Sequence, residues 1–206
     1  MEVYTTENEQ VDALRRFLIE NGKALVVGIV LGIGALVGWR YWQNHQSEGA
    51  MSSSLAYQQA SEALAKGDAA GVSAAEKFSA ENKSSYGVLS SLQLARYHAD
   101  KGEFAQAETQ LRTALTQTKD VDLQALTALR LARVQVQQGK ADDALKTLDT
   151  ITQAVWAAMV ADVRGDALVS KGDNAAARAA YDKGVAANPP QALQALLRMK
   201  LNNLPG

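Results

Sequence analysis

The chain has 206 residues, with 21 Lys and Arg against 22 Asp and Glu, a net charge of −1, and no cysteine. That balance leaves no basic footprint of the kind nucleic acid selects. The lack of cysteine excludes disulfides, thiolate metal sites and a cysteine nucleophile.

Residues 1–23 form a lead-in with five acidic residues. Within it Val11, Leu14, Phe17 and Leu18 recur at helical spacing, with Glu9, Asp12, Arg15 and Arg16 largely on the other face. This predicts a short interfacial helix on the cytoplasmic surface. It is either a docking site or a plain amphipathic lead-in.

Residues 24–42 read ALVVGIVLGIGALVGWRYW. The 16 residues from Ala24 to Trp39 carry no charge, and as a helix they reach about 24 Å of a hydrocarbon core of roughly 30 Å. Lys23 can snorkel at one end. Trp39, Tyr41 and Trp42 supply an aromatic belt at the other. A cleavable signal has a short basic start and a small-residue site after its apolar core. Here the lead-in is long and acidic, and WRYWQNHQ follows instead. The stretch is expected to be a retained single span. Arg15, Arg16 and Lys23 precede it, while only Arg40 follows before Lys66, so the N-terminus is expected in the cytoplasm and the rest outside it, which in a bacterium is the periplasm. The span holds two small-xxx-small pairs, Gly28/Gly32 and Gly34/Gly38, on faces roughly 120° apart at about 100° per residue. They are contacts for partner helices or ordinary membrane-helix glycines.

Residues 43–54, QNHQSEGAMSSS, are polar and small. They are a linker or a poorly apolar start of the next helix. From Leu55 to residue 206 the text is Ala-, Leu- and Gln-rich with helical periodicity, so the fold class is all-α.

Internal repeats set the architecture of residues 55–206. Gly102, Gly139 and Gly172 stand 37 and 33 residues apart and Gly67 stands 35 before Gly102. Each of the first three ends a predicted helix. Five positions after them stand Ala107, Ala144 and Ala177, nine after stand Leu111, Leu148 and Tyr181, and seven before stand Ala95, Ala132 and Gly165. The second helix after Gly67 fits this pattern poorly. Small residues let the two helices of a hairpin approach closely, and the large one fills the next interface. One hairpin cannot bury its own apolar face, so hairpins must stack. The period and spacing resemble the tetratricopeptide repeat. A last helix after Pro189 and Pro190, with Leu193, Leu196, Leu197 and Leu204 inward, is expected to cap the solenoid.

Such stacks bind partners on the wall made by the first helix of each hairpin. Alignment on the glycines gives four rows across that wall: Leu89, Leu126 and Met159; Leu92, Leu129 and Asp162; Arg96, Arg133 and Asp166; Ala99, Val136 and Val169. The predicted groove is apolar with two arginines and lacks the Lys/Asn set that clamps a C-terminal carboxylate in some such repeats. It suits an extended apolar peptide or a partner helix, unless some of these leucines are hairpin core.

No phosphate loop, zinc-protease or nucleophile-elbow motif occurs. His45 lies beside the predicted span and His98 near the end of a repeat helix, where histidine is structural or solvated. Asp142 and Asp143 begin a helix, favourably placed at its positive end. Nothing points to an enzyme, a cofactor, a metal or a small-molecule substrate.

NEQVDALRRFLIENGKAL, the glycine-rich span ending GWRYW and the repeat text LRLARVQVQQGKADDALKTLD together resemble the YfgM family, ancillary subunits of the bacterial SecYEG translocon. The resemblance covers essentially the whole chain. It implies an inner-membrane protein with periplasmic repeats that partners the membrane-anchored chaperone PpiD at the translocon and assists newly exported polypeptides. It carries over no catalytic residue and no cofactor. The alternative is a periplasmic envelope scaffold in cell division or outer-membrane assembly.

Overall fold

A computed structural model describes residues 7–205; the first six residues of the expected cytoplasmic segment and the last residue of the repeat domain lie outside it. The described residues are helical, with no strand among them. The chain divides into two compact units, residues 1–52 and 53–206.

The first helix, α1, runs Glu7–Ala65. Leu14–His45 within it is apolar enough to cross a membrane, and none of that window is buried in the protein. Val11, Leu14, Phe17 and Leu18 are all exposed. The polar stretch 43–54, expected as a linker or the start of the next helix, is helical throughout. It holds no proline, and its lone Gly49 costs only about 1 kcal/mol in a helix.

In the second unit Leu64 at the end of α1 packs with Ala75 of α2 (Ala69–Glu81), and α3 (Ser85–Asp100) pairs with α4 (Phe104–Gln117), α5 (Val121–Gln137) with α6 (Ala141–Asp149), and α7 (Ala157–Ser170) with α8 (Asn174–Ala186). A single 3₁₀ turn, Ala154–Trp156, precedes α7, and α9 (Gln191–Asn203) closes the row.

The turns explain the glycines. Gly67, Gly102, Gly139 and Gly172 all have φ between +71 and +79°, the left-handed region that a Cβ disfavours. At the last three the same pair of bonds closes the helix. Glu103 N donates to His98 O and Gly102 N to Ala99 O, and Lys140 with Gly139 and Asp173 with Gly172 repeat both. At Gly67 only the inner bond, to Leu64 O, forms. Helices α2, α5 and α8 start on side-chain caps: Asp68 accepts from Gly71 N, Asp120 from Leu123 N and Asp173 from Ala176 N.

Packing follows the expected offsets. Ala107, Ala144 and Ala177 are fully buried, as are Leu111, Leu148 and Tyr181. Each core cluster joins one hairpin to the first helix of the next. One holds Leu92, Ala95, Leu111 and Leu131. Another holds Leu129, Ala132, Leu148 and Val163. The last holds Ala177, Tyr181 and Leu197, with Leu193 and Leu204 against them. Leu196, expected to face inward, is exposed, because only one stripe of α9 has a helix to cover it.

Gly165 shows how finely the offsets are matched. A Cβ there would stand 2.1 Å from a ring carbon of Tyr181. Earlier hairpins set Ala95 and Ala132 at that offset, where the large residue is Leu111 or Leu148. A larger partner demands a smaller neighbour.

Candidate partner-binding groove

Helices α3, α5 and α7 form the wall on which the groove residues were expected. Leu89, Leu126, Val136 and Met159 are half-buried, and Arg96, Arg133 and Val169 are exposed. Leu92 and Leu129 are 3% and 1% exposed. These two are therefore core residues unavailable to a partner; their row faces the neighbouring hairpin. Of the predicted groove, the first, third and fourth rows reach the surface.

The third hairpin departs from the leucine row. Asp162 stands at the offset of Leu92 and Leu129 and is equally buried. A buried carboxylate needs counter-charge and hydrogen bonds. Lys200 of α9 supplies them: its Nζ donates to Asp162 Oδ1 at 2.7 Å and to Asp166 at 2.7 Å. Arg133 Nη2 adds a longer contact to Asp162 Oδ2, 3.4 Å, and the Tyr181 hydroxyl donates to Asp166 Oδ1 at 2.7 Å. Burial alone would lower the Lys200 pKa, but the bonds to Asp162 and Asp166 outweigh it and raise it. Burial, and then the bond to Asp166, push the Tyr181 phenol up. The closing helix is thus pinned to the wall by charge.

A second ionic node, away from the predicted groove residues, centres on Glu108 of α4. Its Oε1 accepts from Arg112 and its Oε2 from Gln138 and Lys140 at 2.8 and 2.9 Å. Burial would raise the Glu108 pKa, but these three donors hold it at about 2. The node ties α4 to the turn between α5 and α6. His98, expected to be structural or solvated, is buried, with Nδ1 2.6 Å from Glu103 Oε2.

Sequence reasoning missed Lys200, Glu108 and Lys140. Glu108 and Arg112 lie four apart, which is a readable helix pair. Asp162 in a leucine row was a readable demand for a cation, though not for which one. Among the described residues no group of three or more His, Asp or Glu could hold a metal.

In the first unit, a Cβ at Gly28, Gly32, Gly34 or Gly38 would meet nothing within 4 Å, so these faces are open. Trp39 and Trp42 lie with ring centroids 5.6 Å apart.

The family described as tetratricopeptide repeat-like domain matches residues 15–206. The chain is 55% identical to an ancillary SecYEG translocon subunit of Escherichia coli (strain K12) over 99% of both chains. It is 37% identical to one from Haemophilus influenzae, over 98% of this chain and 99% of the relative. A third, from Aggregatibacter actinomycetemcomitans, is 34% identical over the same shares. No solved structure matches the chain significantly. An unburied apolar helix ahead of stacked hairpins, in a chain similar along nearly its whole length to relatives named for a translocon, marks a single-pass membrane protein. The chain belongs to the family of ancillary SecYEG translocon subunits, built on a tetratricopeptide repeat-like domain.

Proposed function

We propose that the chain is a membrane-anchored scaffold of chaperone type. It stands beside the SecYEG translocon, partners a PpiD-like membrane-anchored chaperone, and assists newly exported polypeptides by binding rather than catalysis. The observation that carries this reading is the 55% identity, over nearly the whole of both chains, to a protein named as an ancillary subunit of that channel. The half-buried Leu89, Leu126 and Met159, with the exposed Arg96 and Arg133, offer the contact surface. The placement of Arg15, Arg16 and Lys23 before the span supports a cytoplasmic N-terminus and periplasmic repeats. The open faces at Gly28, Gly32, Gly34 and Gly38 suit close approach of partner helices. Anchoring raises the effective concentration of a weakly binding wall at the channel exit. Co-purification from mild detergent tests the reading. Recovery of Sec subunits and a membrane-anchored chaperone is expected; recovery of division or outer-membrane assembly proteins in their place would contradict it. Protease access to the repeats in spheroplasts, and not in intact cells, tests the orientation.

A further inference from the structure

Across α3 and α5 the wall carries three arginines with little to balance them. Arg96 and Arg133 share one offset from Gly102 and Gly139, and Arg130 lies one turn before Arg133. All three are exposed. In the preceding junction the position equivalent to Arg130 is Gln93, whose amide donates to Tyr57 of α1 at 2.8 Å and accepts from Ser61 at 2.8 Å. That junction is complete without any visitor. In the next one, burial together with the charges of Arg133 and Arg96 lowers the Arg130 pKa. Arg130 and Arg133 stand one turn apart on α5 and Arg96 holds the equivalent place on α3, so like charges share this face.

The neighbouring carboxylates do not compensate. Asp100 meets Arg96 at 3.5 Å on its own helix, with both side chains largely exposed, a pairing worth little in water. Asp162 is held by Lys200 at 2.7 Å and leaves Arg133 only its 3.4 Å contact. Arg130 forms no ion pair among the described residues. On the same helix faces Leu89 and Leu126 precede Arg96 and Arg133 by seven residues, about 10 Å along the helices. An apolar stripe and a cationic stripe thus run side by side across successive helices.

We propose that this face takes an acidic amphipathic segment of a protein partner, its Asp or Glu side chains on Arg96, Arg130 and Arg133 and its apolar side chains on Leu89, Leu126 and Met159. The inference rests on the scaffold reading above and names the chemistry of what the wall binds. Guanidinium groups match carboxylates in paired hydrogen bonds, and an anion between the arginines relieves their repulsion. Two stripes at fixed separation set a register that a peptide can follow. A fluid layer of lipid headgroups has none.

The test uses the full-length protein in detergent and a fluorescein-labelled amphipathic peptide of Leu and Glu, beside its Gln-for-Glu counterpart and phosphatidylglycerol vesicles. The Glu peptide is expected to bind at least about tenfold tighter than the Gln peptide, and to weaken as salt rises. Arg96→Gln with Arg130→Gln is expected to weaken it about tenfold. Both side chains are exposed and the Arg133–Asp162 contact is kept, so the thermal melt should be unchanged. Equal binding of the two peptides, an unaffected double variant, or binding to vesicles alone overturns the inference. If wild type still co-purifies with Sec subunits in that event, the scaffold reading stands and only the occupant is wrong.

Discussion

Lys200 Nζ lies 2.7 Å from the Oδ1 of Asp162, a carboxylate buried where two earlier hairpins bury leucine. The pair fastens the final helix to α7, while Leu193, Leu197 and Leu201 pack it with Ala177 and Tyr181 of α8. Lys200→Met strands Asp162 with the distant Arg133 alone. It is expected to lower stability by about 3 kcal/mol, the usual cost of breaking a buried pair. Asp162→Leu added to Lys200→Met restores the leucine row and should recover most of that loss. Urea unfolding of the full chain in detergent, followed by circular dichroism, measures both; no recovery in the double variant would contradict the account.

Gly165 and Tyr181 make a coupled pair. Gly165→Ala pushes a methyl into the Tyr181 ring and should destabilise by about 2 kcal/mol, as overpacking does. Tyr181→Leu reproduces the large residue of the earlier hairpins, so the double variant should be less destabilised than the sum of the two single changes. A double-mutant cycle measures this coupling, and strict additivity would refute the size-matching argument.

The Glu108 node gives a pH signature. The folded pKa lies near 2, below the ordinary 4.5. Folding is therefore favoured by this group above the ordinary value, and that contribution fades as pH falls from about 5 towards 2. Arg112 and Lys140 are themselves half exposed, so solvent reduces the full linkage value to about 2 kcal/mol. Glu108→Gln should lose that amount at neutral pH and show a flatter acid limb in thermal melts recorded against pH.

Much of the fold was legible because its cause is local and periodic. The turn glycines, the small residues at fixed offsets and the apolar span are short-range patterns, and they fall where the offsets put them. The groove was legible only in part. A single leucine at helical spacing does not say which of two faces it serves, so the repeat offset alone puts Leu92 and Leu129 in the groove while the next hairpin covers them. Charge partners across helices, such as Lys200 with Asp162, 38 residues apart, follow from tertiary geometry that the repeat spacing alone does not carry. The helical course of residues 43–54 was obscured because polar, small residues describe a linker and an exposed helix equally well.

In the span, Gly28→Leu with Gly32→Leu fills one open face and should reduce recovery of Sec subunits about fivefold, equivalent to roughly 1 kcal/mol of helix packing. Gly34→Leu with Gly38→Leu probes the other face, and quantitative immunoblotting of the co-purified fraction compares them. Unchanged recovery in both would reject the glycine faces as contacts.

The central claim is that the α3–α5–α7 wall meets translocon-associated proteins. Its most direct test is a photo-crosslinking residue at Leu126, with the exposed Thr109 of α4 as control, irradiated in native membranes. The account predicts adducts with a Sec subunit or a membrane-anchored chaperone from Leu126 and few from Thr109. Adducts with neither from Leu126 would contradict it.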